Sequence, residues 1–200
     1  MTPATVRSRV TLPIRLGETE TVAEVVTFDG LADGLEHLAI VLGRPGDVPL
    51  VRLHSECLTG DVLGSHRCDC GPQLHEAVDR IEGAGGYLLY LRQEGRGIGL
   101  YAKLDAYLLQ DEGLDTYDAN LALGYAADAR DYTAAAQMLN ALGVDRLALL
   151  SNNPDKARQL AAHGLEVSER VPTAVHLTSS NRRYLTAKAH RGSHALEIGA

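Results

Sequence analysis

The chain lacks any apolar run long enough to cross a bilayer, and its N-terminal stretch MTPATVRSRVTLPIRLGETE has no apolar core of signal-peptide length. It also lacks an excess of positive charge. With 19 Lys and Arg against 26 Asp and Glu the formal net charge is −7, so the surface as a whole favours neither nucleic acid nor an anionic membrane. Any anionic ligand must be met by a local basic pocket. Internal repeats, low-complexity segments and clear linkers are absent too. At 200 residues and 45% hydrophobic, the economical reading is one α/β domain over residues 1–200, with a C-terminal tail from about His190 expected to be mobile. Cysteine is scarce. Three residues with no pairing logic fit a reducing compartment and a cytoplasmic location.

Those three cysteines stand together, as Cys57-x10-Cys68-Asp69-Cys70. Three soft thiolates at one locus, with no fourth, suit a zinc ion that keeps one coordination position free for water. That is the pattern of a catalytic site, since a closed structural site takes four protein ligands. A Cys68–Cys70 disulfide would be badly strained and would leave Cys57 over. Two alternatives stay open. His54 or His66 could complete a structural site, or the thiols could simply be buried, as free cysteine often is. Polar His66, Arg67 and Asp69 beside them weigh against a purely apolar role.

Strands are expected at Arg9–Ile14, Val22–Thr27, Leu38–Leu42 and Leu50–Leu53, between glycine-bearing turns. Pro72 opens a helical pattern through Leu74, Ala77, Val78 and Ile81, which Gly83, Gly85 and Gly86 end. Tyr87–Leu91 reads as a buried strand running into RQEGRGIG. Beyond it Ile98, Tyr101, Leu104, Tyr107 and Leu108 recur at helical spacing up to Gln110. A further helix runs from a cap at Asp131 or Thr133 to Leu142. Then come a strand at Arg146–Leu150, a helix capped by Asn153 with Pro154 at its first position and Gly164 at its end, and a returning strand at Leu165–Val167.

The polar junctions carry the chemistry. RQEGRGIG (92–99), between strand and helix, suits close approach of backbone N–H groups to phosphate, with Glu94 free to accept from a base, a ribose or a metal-bound water. Its GxG pair lacks the third glycine of a dinucleotide fingerprint. SNNPDK (151–156) offers a hydroxyl, a helix N-terminus and a lysine, and reads equally as a well-capped surface helix. In AADARD (126–131), Asp128 and Arg130 lie two apart and could form a simple salt bridge.

Taken together and in order, HSECLTGDVLGSHRCDCG, LRQEGRGIGL, LQDEGLDTYDANLALGYAADARDY and LLSNNPDK resemble GTP cyclohydrolase II, over about Leu12 to Tyr184. The resemblance implies a compact α/β fold of mixed sheet and helices, usually a homodimer. It implies zinc on Cys57, Cys68 and Cys70. It implies a GTP site from Arg52, Leu53, His54, Ser55, Glu56, Gln73, Glu94, Gly95, Arg96, Thr116, Ser151 and Lys156, with Mg2+ on the triphosphate. Asp128 matches the family's proton acceptor, Arg130 its proposed nucleophile, and Tyr107 a tyrosine assigned to ring opening. The implied reaction opens the imidazole ring of GTP at C8 and releases formate and pyrophosphate, beginning riboflavin synthesis. A paralogue that leaves the formyl group in place, or a zinc-stabilised binding protein without catalysis, are the alternatives. Ser151 stands where the family usually has threonine, which preserves the hydroxyl. The chain begins at the cyclohydrolase region, so a monofunctional enzyme is expected.

Overall fold

The computed structural model describes residues 3–178, 180, 181 and 185. The tail from about His190, expected to be mobile, lies outside them. Seven strands occur, β1 (Thr5–Leu16), β2 (Thr19–Asp29), β3 (Leu38–Leu42), β4 (Leu50–Ser55), β5 (Gly86–Leu91), β6 (Arg146–Leu150) and β7 (Glu166–Val171). The α-helices among the described residues are α1 (Cys70–Ala84), α2 (Leu100–Asp111), α3 (Thr116–Ala122), α4 (Thr133–Ala141) and α5 (Pro154–Ala162). The strands form one mixed sheet in the order β1-β2-β3-β5-β4-β6-β7. The pairs β1–β2, β2–β3 and β3–β5 are antiparallel, while β4–β6 and β6–β7 are parallel. This is the mixed-sheet α/β class expected from the sequence.

The chain divides into two compact units. The first takes residues 1–54, 74–92 and 131–173 and holds the sheet. Its β1–β2 hairpin turns over two residues, with Gly17 at φ 61°, the positive region such tight turns need. Consecutive strand residues face opposite ways, so both faces of the sheet bury apolar side chains. Leu89 packs with Met138 and Leu139 of α4 and Leu160 of α5, whereas Leu88 packs with Leu74, Val78 and Ile81 of α1. Gly86 could be no other residue, because an added Cβ would lie 1.9 Å from the carbonyl oxygen of Leu50. Helix α1 starts at Cys70 rather than at Pro72. Proline is tolerated there because the N–H groups of a first turn have no intrahelical acceptor.

The second unit takes residues 55–73, 93–130 and 174–200, and its described part is built on α2 and α3. Helix α2 stands where the apolar spacing put it, but the stripe faces outward: Tyr101 is 82% exposed, Leu108 66% and Leu104 42%. The buried face carries Ala106 and a charged residue, Lys103. Helix α3 was not expected. Asp115 caps it by accepting from the backbone N–H groups of Tyr117 and Asp118, at 2.7 and 2.9 Å. Among the described residues no helix is long and apolar enough to cross a membrane.

Candidate active site

Three turns of the second unit bring the cysteines together. Cys57 precedes a π-helical turn, Leu58–Val62, and its backbone N–H donates to the Asp61 carboxylate at 3.0 Å. Cys68 is buried in the following loop, and Cys70 is the first residue of α1. Their Sγ atoms lie within 4.8 Å of one another, with Cys57 and Cys68 at 3.7 Å and no disulfide. No histidine or carboxylate joins the cluster among the described residues. His66 and His54 therefore supply no fourth ligand here, and His54, in the first unit, instead stacks on Tyr90 at 5.6 Å between ring centroids.

The cysteines can close in on the 58–62 turn because residue 60 is glycine. A Cβ there would lie 2.9 Å from Cys68 Sγ, 3.0 Å from Cys70 Cβ and 3.1 Å from Cys57 Sγ. A Cβ on Gly71 would likewise meet the Gly60 carbonyl oxygen at 2.5 Å. Electrostatics point the same way. Hydrogen bonds from the Cys68 and Cys70 thiols, and the Lys103 ammonium, hold Cys57 far below the ordinary thiol range despite burial. Its thiol donors respond in the opposite sense: Cys68 is pushed up to about 11 and Cys70 well above the usual value, chiefly because each donates to Cys57. Three convergent sulfurs, with the Cys57 thiol held below its ordinary range, fit a zinc ion.

A hydrogen-bonded chain runs outward from this cluster. Lys103 Nζ donates to Cys57 Sγ at 3.1 Å, to Thr59 Oγ1 at 3.0 Å and to Glu94 Oε1 at 2.7 Å. Thr59 Oγ1 lies 3.3 Å from the Tyr107 hydroxyl. Burial alone would lower the Lys103 pKa, but the Cys57 thiolate and Glu94 carboxylate more than reverse this and raise it. Burial also raises Tyr107, against the Thr59 hydrogen bond and the Lys103 charge, so the phenol keeps its proton at neutral pH. The Tyr107 ring is further fixed by Arg67, whose Cζ sits 4.4 Å from the ring centroid. That guanidinium donates to the Asp111 carboxylate at 2.6 and 3.2 Å.

RQEGRGIG forms a tight 3₁₀ turn, Glu94–Gly97, with Gly95 and Arg96 both in the left-handed region at φ 62° and 64°. Glu94 is buried and accepts from the backbone N–H groups of Leu58 at 2.7 Å and Gly95 at 3.0 Å as well as from Lys103. Its carboxylate thus ties this turn to the cysteine loop. The Arg96 guanidinium stacks on Tyr117, 3.9 Å from the ring centroid, and its Nη1 has no hydrogen-bond partner among the described residues. The Arg96 carbonyl accepts from Ala129 N–H at 3.1 Å, which docks the 126–130 loop on the turn. There Asp128 and Arg130 form the salt bridge the spacing allowed, in bidentate form at 2.9 and 2.5 Å. Burial would raise Asp128, but Arg130 and then Arg96 outweigh it and hold the carboxyl below its usual range. Gln73 donates to buried Asp69 at 2.5 Å, and Thr116 is the first residue of α3. Ser55 Oγ donates weakly to Gln93 at 3.5 Å, and Glu56 follows it, partly exposed.

The remaining candidates lie in the first unit. Arg52 on β4 donates to the Leu150 carbonyl at 3.1 Å. The Leu53 side chain belongs to the hydrophobic core, and its carbonyl accepts from Lys156 Nζ at 2.7 Å. Lys156 is buried on α5, with Nζ 5.5 Å from the Tyr132 ring centroid. Ser151 Oγ accepts from Asn153 N–H at 3.0 Å, and Asn153 caps α5 through Asp155 N–H at 2.9 Å.

Sequence reasoning missed Thr59, Gly60, Lys103 and Tyr117. One signal was present for Lys103, which precedes Tyr107 by four residues and so shares its helix face.

The sequence pattern of the GTP cyclohydrolase II family matches residues 5–172. GTP cyclohydrolase-2 of Vibrio parahaemolyticus is 50% identical over 199 residues, 98% of this chain and 100% of its own length. The Vibrio cholerae GTP cyclohydrolase-2 matches at the same identity and coverage, 50% over 199 residues. Riboflavin biosynthesis protein RibBA of Bacillus subtilis is 51% identical over 94% of this chain but only 48% of its own. Among solved structures, the two-domain 3,4-dihydroxy-2-butanone 4-phosphate synthase RibBX from A. baumannii matches 88% of this chain and 41% of its own at 21% identity, with a TM-score of 0.48. A family pattern spanning most of the chain, and half-identical relatives matched end to end, make this chain a member of the GTP cyclohydrolase II family of enzymes.

Proposed function

We propose that the chain hydrolyses GTP at C8 with release of formate and pyrophosphate, giving 2,5-diamino-6-ribosylamino-4(3H)-pyrimidinone 5′-phosphate, the first step of riboflavin biosynthesis. The observation that carries the reading is the convergence of Cys57, Cys68 and Cys70 beside Gly60, linked through Thr59 to the Tyr107 hydroxyl. One zinc per chain, held by the three sulfurs, would supply Lewis-acid activation of water for attack on a poor electrophile. Tyr107, protonated at neutral pH, is suited to give a proton to the ring nitrogen as the C–N bond breaks, with Thr59 holding its hydroxyl.

Arg96, Arg130, Ser151 and Lys156 are the proposed phosphate contacts. Mg2+ on the triphosphate would neutralise further charge. Arg130 is bidentate to Asp128, and such pairing favours a charged guanidinium, a poor nucleophile. This supports an electrostatic part for Arg130 at the phosphate rather than covalent attack. The outward stripe Tyr101, Leu104 and Leu108 on α2 supports a homodimer.

Incubation of zinc-loaded protein with GTP and Mg2+, followed by formate assay and product mass, tests the reading. Formate equal in amount to the GTP consumed is expected. A product that retains the formyl group would replace it with the paralogue reading. No turnover by zinc-loaded protein would leave a binding protein.

A further inference from the structure

Helix α2 buries one charged side chain, and that burial needs a reason. Lys103 is 9% exposed, and each of its three ammonium protons has an acceptor: Cys57 Sγ at 3.1 Å, Thr59 Oγ1 at 3.0 Å and Glu94 Oε1 at 2.7 Å. Glu94 alone would neutralise the charge. The remaining two protons go to a proposed zinc ligand and to the hydroxyl that holds Tyr107. Three thiolates outweigh a divalent ion by one negative charge, and buried Glu94 adds another. An ammonium against one of the sulfurs draws electron density from it and offsets part of that excess. It also fixes where that sulfur points, as partners beyond the ligands generally do at metal centres.

We propose that Lys103 is a positioning residue of the metal centre, orienting and polarising the Cys57 sulfur through one proton and aligning Thr59 toward Tyr107 through another. The inference rests on the zinc reading above.

Cobalt(II) in place of zinc reads the sulfur directly, because its thiolate-to-metal charge-transfer band falls in energy when a hydrogen bond to sulfur is removed. Wild-type protein, Lys103→Met and Lys103→Arg are each titrated with Co2+, and zinc affinity is measured by chelator competition. The methionine variant is expected to shift the band to longer wavelength and to weaken zinc binding by about 10- to 100-fold. The arginine variant, which keeps a charged donor, should recover much of the band position. Should Lys103→Met alone not fold, the same variant combined with Glu94→Gln keeps the buried charge balanced, and the same shift is expected. A methionine variant with wild-type band energy and wild-type zinc affinity overturns the role of Lys103 and leaves the zinc reading standing. Wild-type protein with no thiolate band on Co2+ addition removes the zinc reading and this inference with it.

Discussion

Replacing Gly60 by alanine puts a methyl group against the sulfurs of Cys57 and Cys68 and the Cβ of Cys70. Carbon atoms pack best at about 3.5–4.0 Å, and sulfur is larger. The new Cβ would begin 2.9 Å from Cys68 Sγ, 3.0 Å from Cys70 Cβ and 3.1 Å from Cys57 Sγ. These neighbours must therefore give by a few tenths of an ångström. Zinc–sulfur bonds are near 2.3 Å, and a workable site tolerates only about 0.2 Å of departure. Overpacking of this kind costs about 1–3 kcal/mol, which corresponds to a loss of about 5- to 150-fold in zinc affinity. The backbone argues the other way. Gly60 is not among the residues at positive φ, and alanine is a better helix former than glycine by about 1 kcal/mol. In the metal-free fold the two effects partly offset each other, so the variant should still fold, yet lose zinc to a competing chelator more readily, with turnover falling in proportion. Thermal melting of the metal-free forms provides the control. Wild-type zinc affinity in Gly60→Ala would refute the reasoning, because the cysteines would then hold the ion despite the added methyl group.

Tyr107→Phe should retain zinc but lose turnover by roughly 10²–10⁴-fold if the phenol transfers a proton, and a smaller loss would remove it from that role. GTP should be turned over in strong preference to ATP, since polar groups built for guanine are left unpaired by adenine; equal rates would discard the proposed base contacts. Lys156→Ala should raise KM more than it lowers kcat, which steady-state kinetics with GTP and Mg2+ would measure. Arg130→Gln tests linkage: Asp128 is lowered in the fold, so the pair stabilises above the ordinary carboxylate pKa and the benefit disappears as pH falls through the folded value. Melting curves should show the variant less stable than wild type at pH 7, with the gap closing below about pH 4; a gap independent of pH would contradict it.

What the sequence disclosed was local. Alternation within a strand, a glycine in a two-residue turn, and Asn153 followed by Pro154 each act over a few residues, so β3, β6 and the start of α5 stood at the expected positions. The cysteine cluster was legible for a different reason: three residues of a rare type leave few explanations. The orientation of α2 was not legible. Its apolar residues recurred at helical spacing, but Tyr101, Leu104 and Leu108 face outward and the opposite face holds a lysine whose acceptors come from positions 57, 59 and 94. Spacing along a helix cannot reveal partners so far along the chain. Helix α3, at seven residues, is too short for periodicity to register. Gly60 is equally silent, since its value lies in the side chain it does not set against the cysteines.

Three cations of the second unit already have carboxylate partners. Lys103 faces Glu94, Arg67 faces Asp111 and Arg130 faces Asp128, so these charges are each balanced within the second unit. Arg96 stands apart. Its guanidinium rests on the Tyr117 ring with Nη1 unsatisfied among the described residues, and a buried donor in that condition costs about 1–3 kcal/mol. Its backbone sits at φ 64°, which for a side chain of this size costs roughly another 1–2 kcal/mol. Such strain persists only where the surroundings enforce it. Here they do, through Gly95 N–H on Glu94 and Ala129 N–H on the Arg96 carbonyl. An arriving phosphate oxygen would satisfy the orphaned donor without first breaking a carboxylate pair, as it must at Arg130. On the function proposed above, Arg96 is therefore the cation best prepared for a first phosphate contact, and the glycine-rich turn would aim it.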